Sequence, residues 1–197
     1  MANPTHLELA RRYAAGERNL RLEMLDLSGA DLRGLDFSGA WLRDTNLSRA
    51  QLQDCRFVGA SMPGTSFEAA NLTGADLHGC IGAGAVFRQA VLVNASLRAA
   101  DLYGADLQGA DLSGADLTGA DLSMVQAAQA NLRRAKLARV ILFKANLSAA
   151  DLRDTDLDRA ESVSQANFEN AALPPGYQPV NNPRRIRTAR GFFDRWR

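Results

Sequence analysis

Between Asp101 and Leu122 the chain reads DLYGADLQGADLSGADLTGADL, with a large apolar residue at every fifth position: Leu102, Leu107, Leu112, Leu117 and Leu122. A small residue stands two before each of them, Ala100, Ala105, Ala110, Ala115 and Ala120. Five is neither the strand period of about 2 nor the helix period of about 3.6, so the pattern predicts a repeat architecture and not an amphipathic element. The large position holds its frame from Leu22 to Leu157, about 28 units. After Ala160 the frame slips by one residue and continues through Val163, Phe168 and Leu173, with Ala166 and Ala171 as the small partners.

One large and one small residue in five predict that two side chains per unit fill a narrow column. The other three face water or form a corner. Gly follows the large residue by two at Gly29, Gly34, Gly39, Gly104, Gly109, Gly114 and Gly119, among others. That is where a type II turn needs positive φ. A corner every five residues winds the chain into a square coil of about 20 residues per turn. The charges fit that figure. Residues 20 apart give the ladder Asp36, Arg56, Asp76, Ser96, Asp116, Lys136, Asp156 and a second one, Asp31, Gln51, Asn71, Val91, Asp111, Asn131, Asp151. Only Asp101 and Asp121 stack like on like, which keeps repulsion low at a rung spacing of about 4.8 Å.

The phrase A(D/N)LxG, from Ala30-Asp31-Leu32-Arg33-Gly34 to Ala120-Asp121-Leu122, resembles the pentapeptide-repeat family. The resemblance implies an all-β solenoid, a right-handed quadrilateral parallel β-helix whose large and small residues point inward. The opening Tyr13-Ala14-Ala15-Gly16-Glu17-Arg18-Asn19-Leu20 is similar to the lead-in of cyanobacterial members, including the heterocyst-regulating one. Another branch of the family resembles B-form DNA and binds DNA gyrase. Its members are strongly acidic rods that dimerise through their C-terminal ends.

Three regions are expected: an N-terminal cap over 1–19, the repeat over 20–173, and a Pro-containing linker and tail over 174–197. Thr5 to Ala15 reads as a short helix, with Thr5 and Glu8 as a capping box, late Arg11 and Arg12, and Gly16 as its stop. It is placed to cover the first coil, where Leu20, Leu25 and Leu35 fill small slots. After Leu173 the repeat stops at Pro174-Pro175-Gly176. The tail RRIRTARGFFDRWR, from Arg184 to Arg197, carries six Arg and one Asp. Its Ile186, Ala189, Phe193 and Trp196 are spaced for one helix face. It caps the last coil, binds a partner or a second copy through Arg184, Arg185, Arg187, Phe192, Phe193 and Trp196, or lies on an anionic membrane surface.

The chain of 197 residues has net charge +1; with the tail at +5 the remainder stands at −4, a poor mimic of DNA. Arg133, Arg134, Lys136, Arg139 and Lys144 read as a solvated surface and do not predict nucleic-acid binding. Cys55 and Cys80 occupy small inward slots and read as core filling. His6 falls in the cap helix and His78 points outward. Neither has neighbours suited to a metal or to catalysis, so no enzyme, cofactor or metal is expected. Met1-Ala2-Asn3-Pro4 lacks a basic region before an apolar run, and no segment approaches 18 apolar residues, so a cytoplasmic location is expected.

Breaks in the pattern carry the functional reading. Gly82 occupies a large position and leaves a gap, partly filled by Phe67 and Phe87 or closed by a bulge that turns Ile81 inward. In frame, Ile81, Val86, Val91 and Val93 point outward. Stacking at 20 residues puts Trp41, Ile81 and Ile141 in one column, with Tyr103 and Phe143 two residues along. Such a wall on a stiff rod suits a docking surface for a protein partner, in a scaffold or regulatory role.

Overall fold

The computed structural model describes residues 4–17 and 21–179. From Asp26 onward the backbone pairs in parallel with the segment 20 residues later, at Asp26 and Asn46, Asp31 and Gln51, Asp36 and Arg56, and Trp41 and Ser61. These four pairs mark the four sides of one coil. The large and small residues of Ala40 to Leu152 are buried almost without exception, so the core is one continuous column, closed where Gly82 lacks a side chain. The sides are named below by Trp41, Asn46, Gln51 and Arg56.

One unit shows why the phrase takes its form. The Asp101 N–H donates back to Cys80 O at 2.9 Å, Leu102 N–H forward to Asp121 O at 2.9 Å, and Gly104 N–H forward to Ser123 O at 2.9 Å. The Ala105 N–H closes the corner onto Leu102 O at 3.0 Å. Only the Tyr103 N–H lacks a backbone acceptor, and Asp101 Oδ1 takes it at 3.1 Å. The repeated Asp or Asn is therefore a backbone acceptor in side-chain form, satisfying the last donor of the units that carry it. Asp111 does the same for Ser113, Asn71 for Thr73 and Asn146 for Ser148. Small inward residues with a polar atom serve a related purpose. Thr45, Thr65 and Cys55 each donate to the carbonyl of a large residue in the preceding coil, Leu22, Leu42 and Leu32.

Every corner residue has positive φ, whether glycine, as at Gly104 (64°), or not, as at Ala99 (52°) and Ala149 (56°). At Gly64 a Cβ would meet only Asp44 Oδ1, the tip of an exposed side chain free to swing aside, so it is the positive φ that asks for glycine there.

Helix α1 spans Pro4–Ala14 and buries Ala10 and Tyr13 against the first coil. Tyr13 stacks on Phe37 with ring centroids 6.4 Å apart, and its hydroxyl donates to Ser38 O at 3.2 Å. His6 Nδ1 accepts the Asp26 N–H at 2.8 Å. Pro4, whose fixed φ suits a first turn, is the first described residue of the helix, and Thr5 and Glu8, expected as its capping box, follow it. Gly16, with φ of 112°, ends the helix. Leu25 and Leu35 pack in the first coil as expected, while Arg18, Asn19 and Leu20 lie outside the described residues.

At Gly82 the nearest side chains belong to its own column. Phe67 and Phe87 stack on each other on the neighbouring side, with centroids 4.8 Å apart. The space at Gly82 is taken by its own column, with Leu102 Cδ2 3.0 Å and Met62 Cγ 3.5 Å from where a Cβ would sit. The chain does not bulge, since Ile81 keeps its pairing with Ser61 and Asp101.

The frame slip is present: Ile141 pairs with Ser162, Asn146 with Asn167 and Asp151 with Ala172. The extra residue is absorbed in a short 3-10 turn, Leu157–Arg159. Here the first charge ladder stops short of Asp156, which does not pair with Lys136. Instead Asp156 Oδ1 accepts the Leu137 N–H at 2.5 Å, in place of the carbonyl that the slip removes. In the last coil Val163, Phe168 and Leu173 are only half-buried. A turn at Pro174 brings Tyr177 back against Phe168, with ring centroids 6.4 Å apart, so the end of the repeat is more than a linker.

Candidate interaction surface

The Trp41 side is built from the units Ala40–Asp44, Ala60–Gly64, Cys80–Gly84, Ala100–Gly104, Ala120–Met124 and Val140–Lys144. Its outer column runs Trp41, Ser61, Ile81, Asp101, Asp121, Ile141 through successive parallel pairs. Two residues along, Tyr103 and Phe143 share a column, joined through the hydrogen bonds Gly104 N to Ser123 O and Met124 N to Phe143 O. The large exposed hydrophobic residues among those described are Met24, Trp41, Ile81, Tyr103, Met124 and Phe143. All six lie on this one side. Single exposed apolar residues are ordinary on a protein surface, but their confinement to one wall of four is not scatter.

Trp41 is 68% exposed and Tyr103 49%. Tyr103 donates its hydroxyl to Met124 Sδ at 2.8 Å, and Lys144 Nζ lies 5.2 Å from the centroid of the Phe143 ring. Ile81, Tyr103, Met124 and Phe143 thus step down four consecutive coils as one patch. Ile141 is half-buried at its edge. Met24 and Met124 were not among the expected wall residues, because both stand at corners, where the pattern draws the eye to turn chemistry. The signal was present, since both fall in register with Asp44, Gly64, Gly84 and Gly104.

The wall also departs from the rule of its own fold. Trp41, Ile81 and Ile141 hold the position where Asp or Asn accepts the last N–H of the unit, and none of them can accept it. Val86, Val91, Arg56 and Lys136 do the same on other sides, the two valines half-buried like Ile141. Asp101 and Asp121, in the middle of the patch, form the one like-charged step among the described pairings. No cation lies in ion-pair range of either among the described residues. Several carboxylates on the other sides are ion-paired. Arg88 pairs with Asp106 at 2.5 Å, Arg98 and Lys136 with Asp116 at 3.2 and 3.5 Å, and Arg133 with Asp154 at 3.0 Å. Hydrogen bonds from Arg33 hold Asp31 down to about 2, and those from Arg153 do the same for Asp151.

The remaining candidate chemistry is quiet. Burial pushes the Cys55 thiol up to about 11 and the Cys80 thiol to about 12. His78 is exposed and distant from His6 in the coil order. Among the described residues no three of His, Cys, Asp and Glu converge on a metal-sized site, and no helix is long and apolar enough to cross a membrane. The tail residues Arg184, Arg185, Arg187, Phe192, Phe193 and Trp196 lie outside the described residues.

Comparison with known proteins agrees with this geometry. The model for pentapeptide repeats matches in 8 copies over residues 18–49, 50–81, 83–119 and 120–159. None of the curated proteins matches the chain. A pentapeptide repeat protein of the Arabidopsis thaliana thylakoid lumen is 36% identical over 47% of this chain, with a TM-score of 0.46; the match spans 64% of that protein, less than two thirds of its length. HetL, a pentapeptide repeat protein involved in heterocyst differentiation regulation in the cyanobacterium Nostoc sp. strain PCC 7120, is 28% identical over 85% of this chain and 92% of its own, with a TM-score of 0.35. Full-length QnrB1, a plasmid-mediated fluoroquinolone resistance protein, is 20% identical over 76% of each chain with a TM-score of 0.57, a likeness of fold. With the repeat model matching well over half its length, the chain belongs to the pentapeptide-repeat family, whose fold is the right-handed quadrilateral β-helix.

Proposed function

We propose that this protein is a non-enzymatic interaction module, a scaffold or regulator that docks a protein partner on its Trp41 side. The observation that carries the reading is that, among the described residues, all six exposed large hydrophobics stand on that side. Its contact residues are Trp41, Ile81, Tyr103, Ile141 and Phe143, joined by Met24 and Met124. A stiff coil suits the task, because a preorganised surface loses little conformational entropy on binding. Helix α1 serves as the cap of the first coil. The chain after 173, which starts folded back through Tyr177 on Phe168, is read as a linker and tail, with Arg184, Arg185, Arg187, Phe192, Phe193 and Trp196 as a second binding element. The setting is cytoplasmic.

The DNA-mimic reading, with gyrase as its target, has less support. A mimic of the duplex needs an array of unpaired negative charge, whereas here arginines and lysines neutralise Asp31, Asp106, Asp116, Asp151 and Asp154 along the coil. The test is capture of partners from host extract by the native protein and by the double variant Trp41→Ser, Phe143→Ser. Both side chains are exposed, so the variant keeps its melting temperature and loses the partner. Undiminished capture by the variant refutes the reading.

A further inference from the structure

We infer that the arginine–aromatic segment 184–197 of this chain is itself an occupant of the Trp41 side, seated over Asp101 and Asp121. The inference rests on the reading of that side as a docking surface and names what covers it.

The first argument is charge. Asp101 and Asp121 are directly opposite one another on successive coils, a destabilising arrangement that the fold elsewhere avoids. Each carboxylate spends Oδ1 on a local N–H, that of Tyr103 or Ser123, which leaves its second oxygen for an external donor. Asn would make the same local bond without the charge, as Asn46, Asn71 and Asn131 do. The negative charge at 101 and 121 is thus not required by the coil. The second argument is the frame. Ile81, Tyr103, Met124 and Phe143 border the two carboxylates, so the complementary ligand is cationic and apolar at once. Residues 184–197 read RRIRTARGFFDRWR, with six Arg among Ile186, Phe192, Phe193 and Trp196. Arginine suits the contact because its planar fork pairs with carboxylates and stacks on rings.

The third argument is reach. The last described residues turn back at Pro174 and place Tyr177 on Phe168, in the column of the Asn46 side, which shares a corner with the Trp41 side. Residues 180–183 span up to about 14 Å when extended. Three coil steps of about 4.8 Å separate Ile141 from Ile81. A segment of this length covers the patch either as a helix, about 21 Å long, or extended.

The test replaces Tyr103 with a photo-reactive phenylalanine analogue in the full-length chain and maps the cross-links formed at several protein concentrations. The expected product joins position 103 to residues 184–197 of the same chain, in a yield that does not change on dilution. Changing both Asp101→Asn and Asp121→Asn lowers that yield about fivefold, the scale of an exposed ion pair at its upper range. Changing Tyr103 alone leaves the two carboxylates in place, so the loss of yield on the Asn pair reports their charge and not the coil, which Asn46, Asn71 and Asn131 maintain without charge. The inference is overturned by three results: no cross-link to 184–197, a product that grows with concentration and joins two copies, or a yield indifferent to the Asn pair. Irradiation in host extract separates the two readings. Capture of a partner at position 103 without any tail cross-link removes this inference alone, and capture of nothing removes both.

Discussion

The column at Gly82 offers a sharp test of the packing. A Cβ at position 82 would lie 3.0 Å from Leu102 Cδ2, inside the roughly 3.5–4.0 Å at which carbon atoms attract. Leu102 therefore already occupies the space that Gly82 leaves. Gly82→Leu alone overpacks the column and costs about 1–3 kcal/mol. Leu102→Ala alone leaves two adjacent vacancies, and its cost falls in the upper part of the range for buried leucines, about 4–5 kcal/mol. Combining them moves the leucine one coil along and nearly conserves volume, so the double variant loses only about 1–2 kcal/mol. The coupling is then about 3 kcal/mol or more, measured as a double-mutant cycle from urea midpoints at constant slope. Gly82→Leu with Leu112→Ala, on another side, is the control and is additive within about 0.5 kcal/mol. Additivity of the 82 and 102 pair within the same margin would refute the claim that these residues fill one another's space.

Four further outcomes follow from the same geometry. Ala69→Gly, Ala99→Gly and Ala149→Gly each relieve a positive φ and raise stability by about 0.5–1 kcal/mol, while Gly104→Ala lowers it by about 1 kcal/mol, both read from denaturation midpoints. Cys55 and Cys80, with thiols at about 11 and 12, resist alkylation at pH 8.5 in the folded protein and react at once in denaturant; mass spectrometry counts the adducts. Asp31 and Asp151 titrate near pH 2 by NMR, and Arg33→Gln returns Asp31 toward the ordinary carboxylate range. Because both folded values are lowered, their contribution to stability is present above pH 4 or so and fades as pH falls toward about 2. His6→Ala and Tyr13→Phe each remove one bond between α1 and the first coil, and hydrogen exchange then rises first at Asp26 for the former.

Much of the fold could be read in advance because a five-residue frame with fixed slots allows few foldings. The spacing of Leu102 to Leu122 and the charge ladders gave the 20-residue coil, and the shift after Ala160 gave the slip. What could not be read depends on side chains acting outside their slot. Asp156 leaves its ladder to stand in for a missing carbonyl, and Tyr177 folds back from beyond the repeat. The filling of Gly82 was legible in principle, since Met62 and Leu102 are its neighbours at a spacing of 20. Phe67 and Phe87 drew attention by size and lie on another side. The wall at Trp41, Ile81, Tyr103, Ile141 and Phe143 followed from the same arithmetic. Its extension to Met24 and Met124 did not, because corner residues were read for φ and not for the direction of their side chains.

Hydroxyl-radical footprinting of the free protein and of the complex recovered from host extract tests the central claim most directly. The free protein, cut after residue 183 so that its own tail cannot cover the wall, should be oxidised at Met24, Trp41, Tyr103, Met124 and Phe143 and spared at Met62, Phe37, Phe57, Phe67 and Phe87, which are wholly buried. In the complex the first set should be protected together. Equal oxidation of Met62 and Met124 would contradict the coil register, and protection confined to another side would contradict the docking surface.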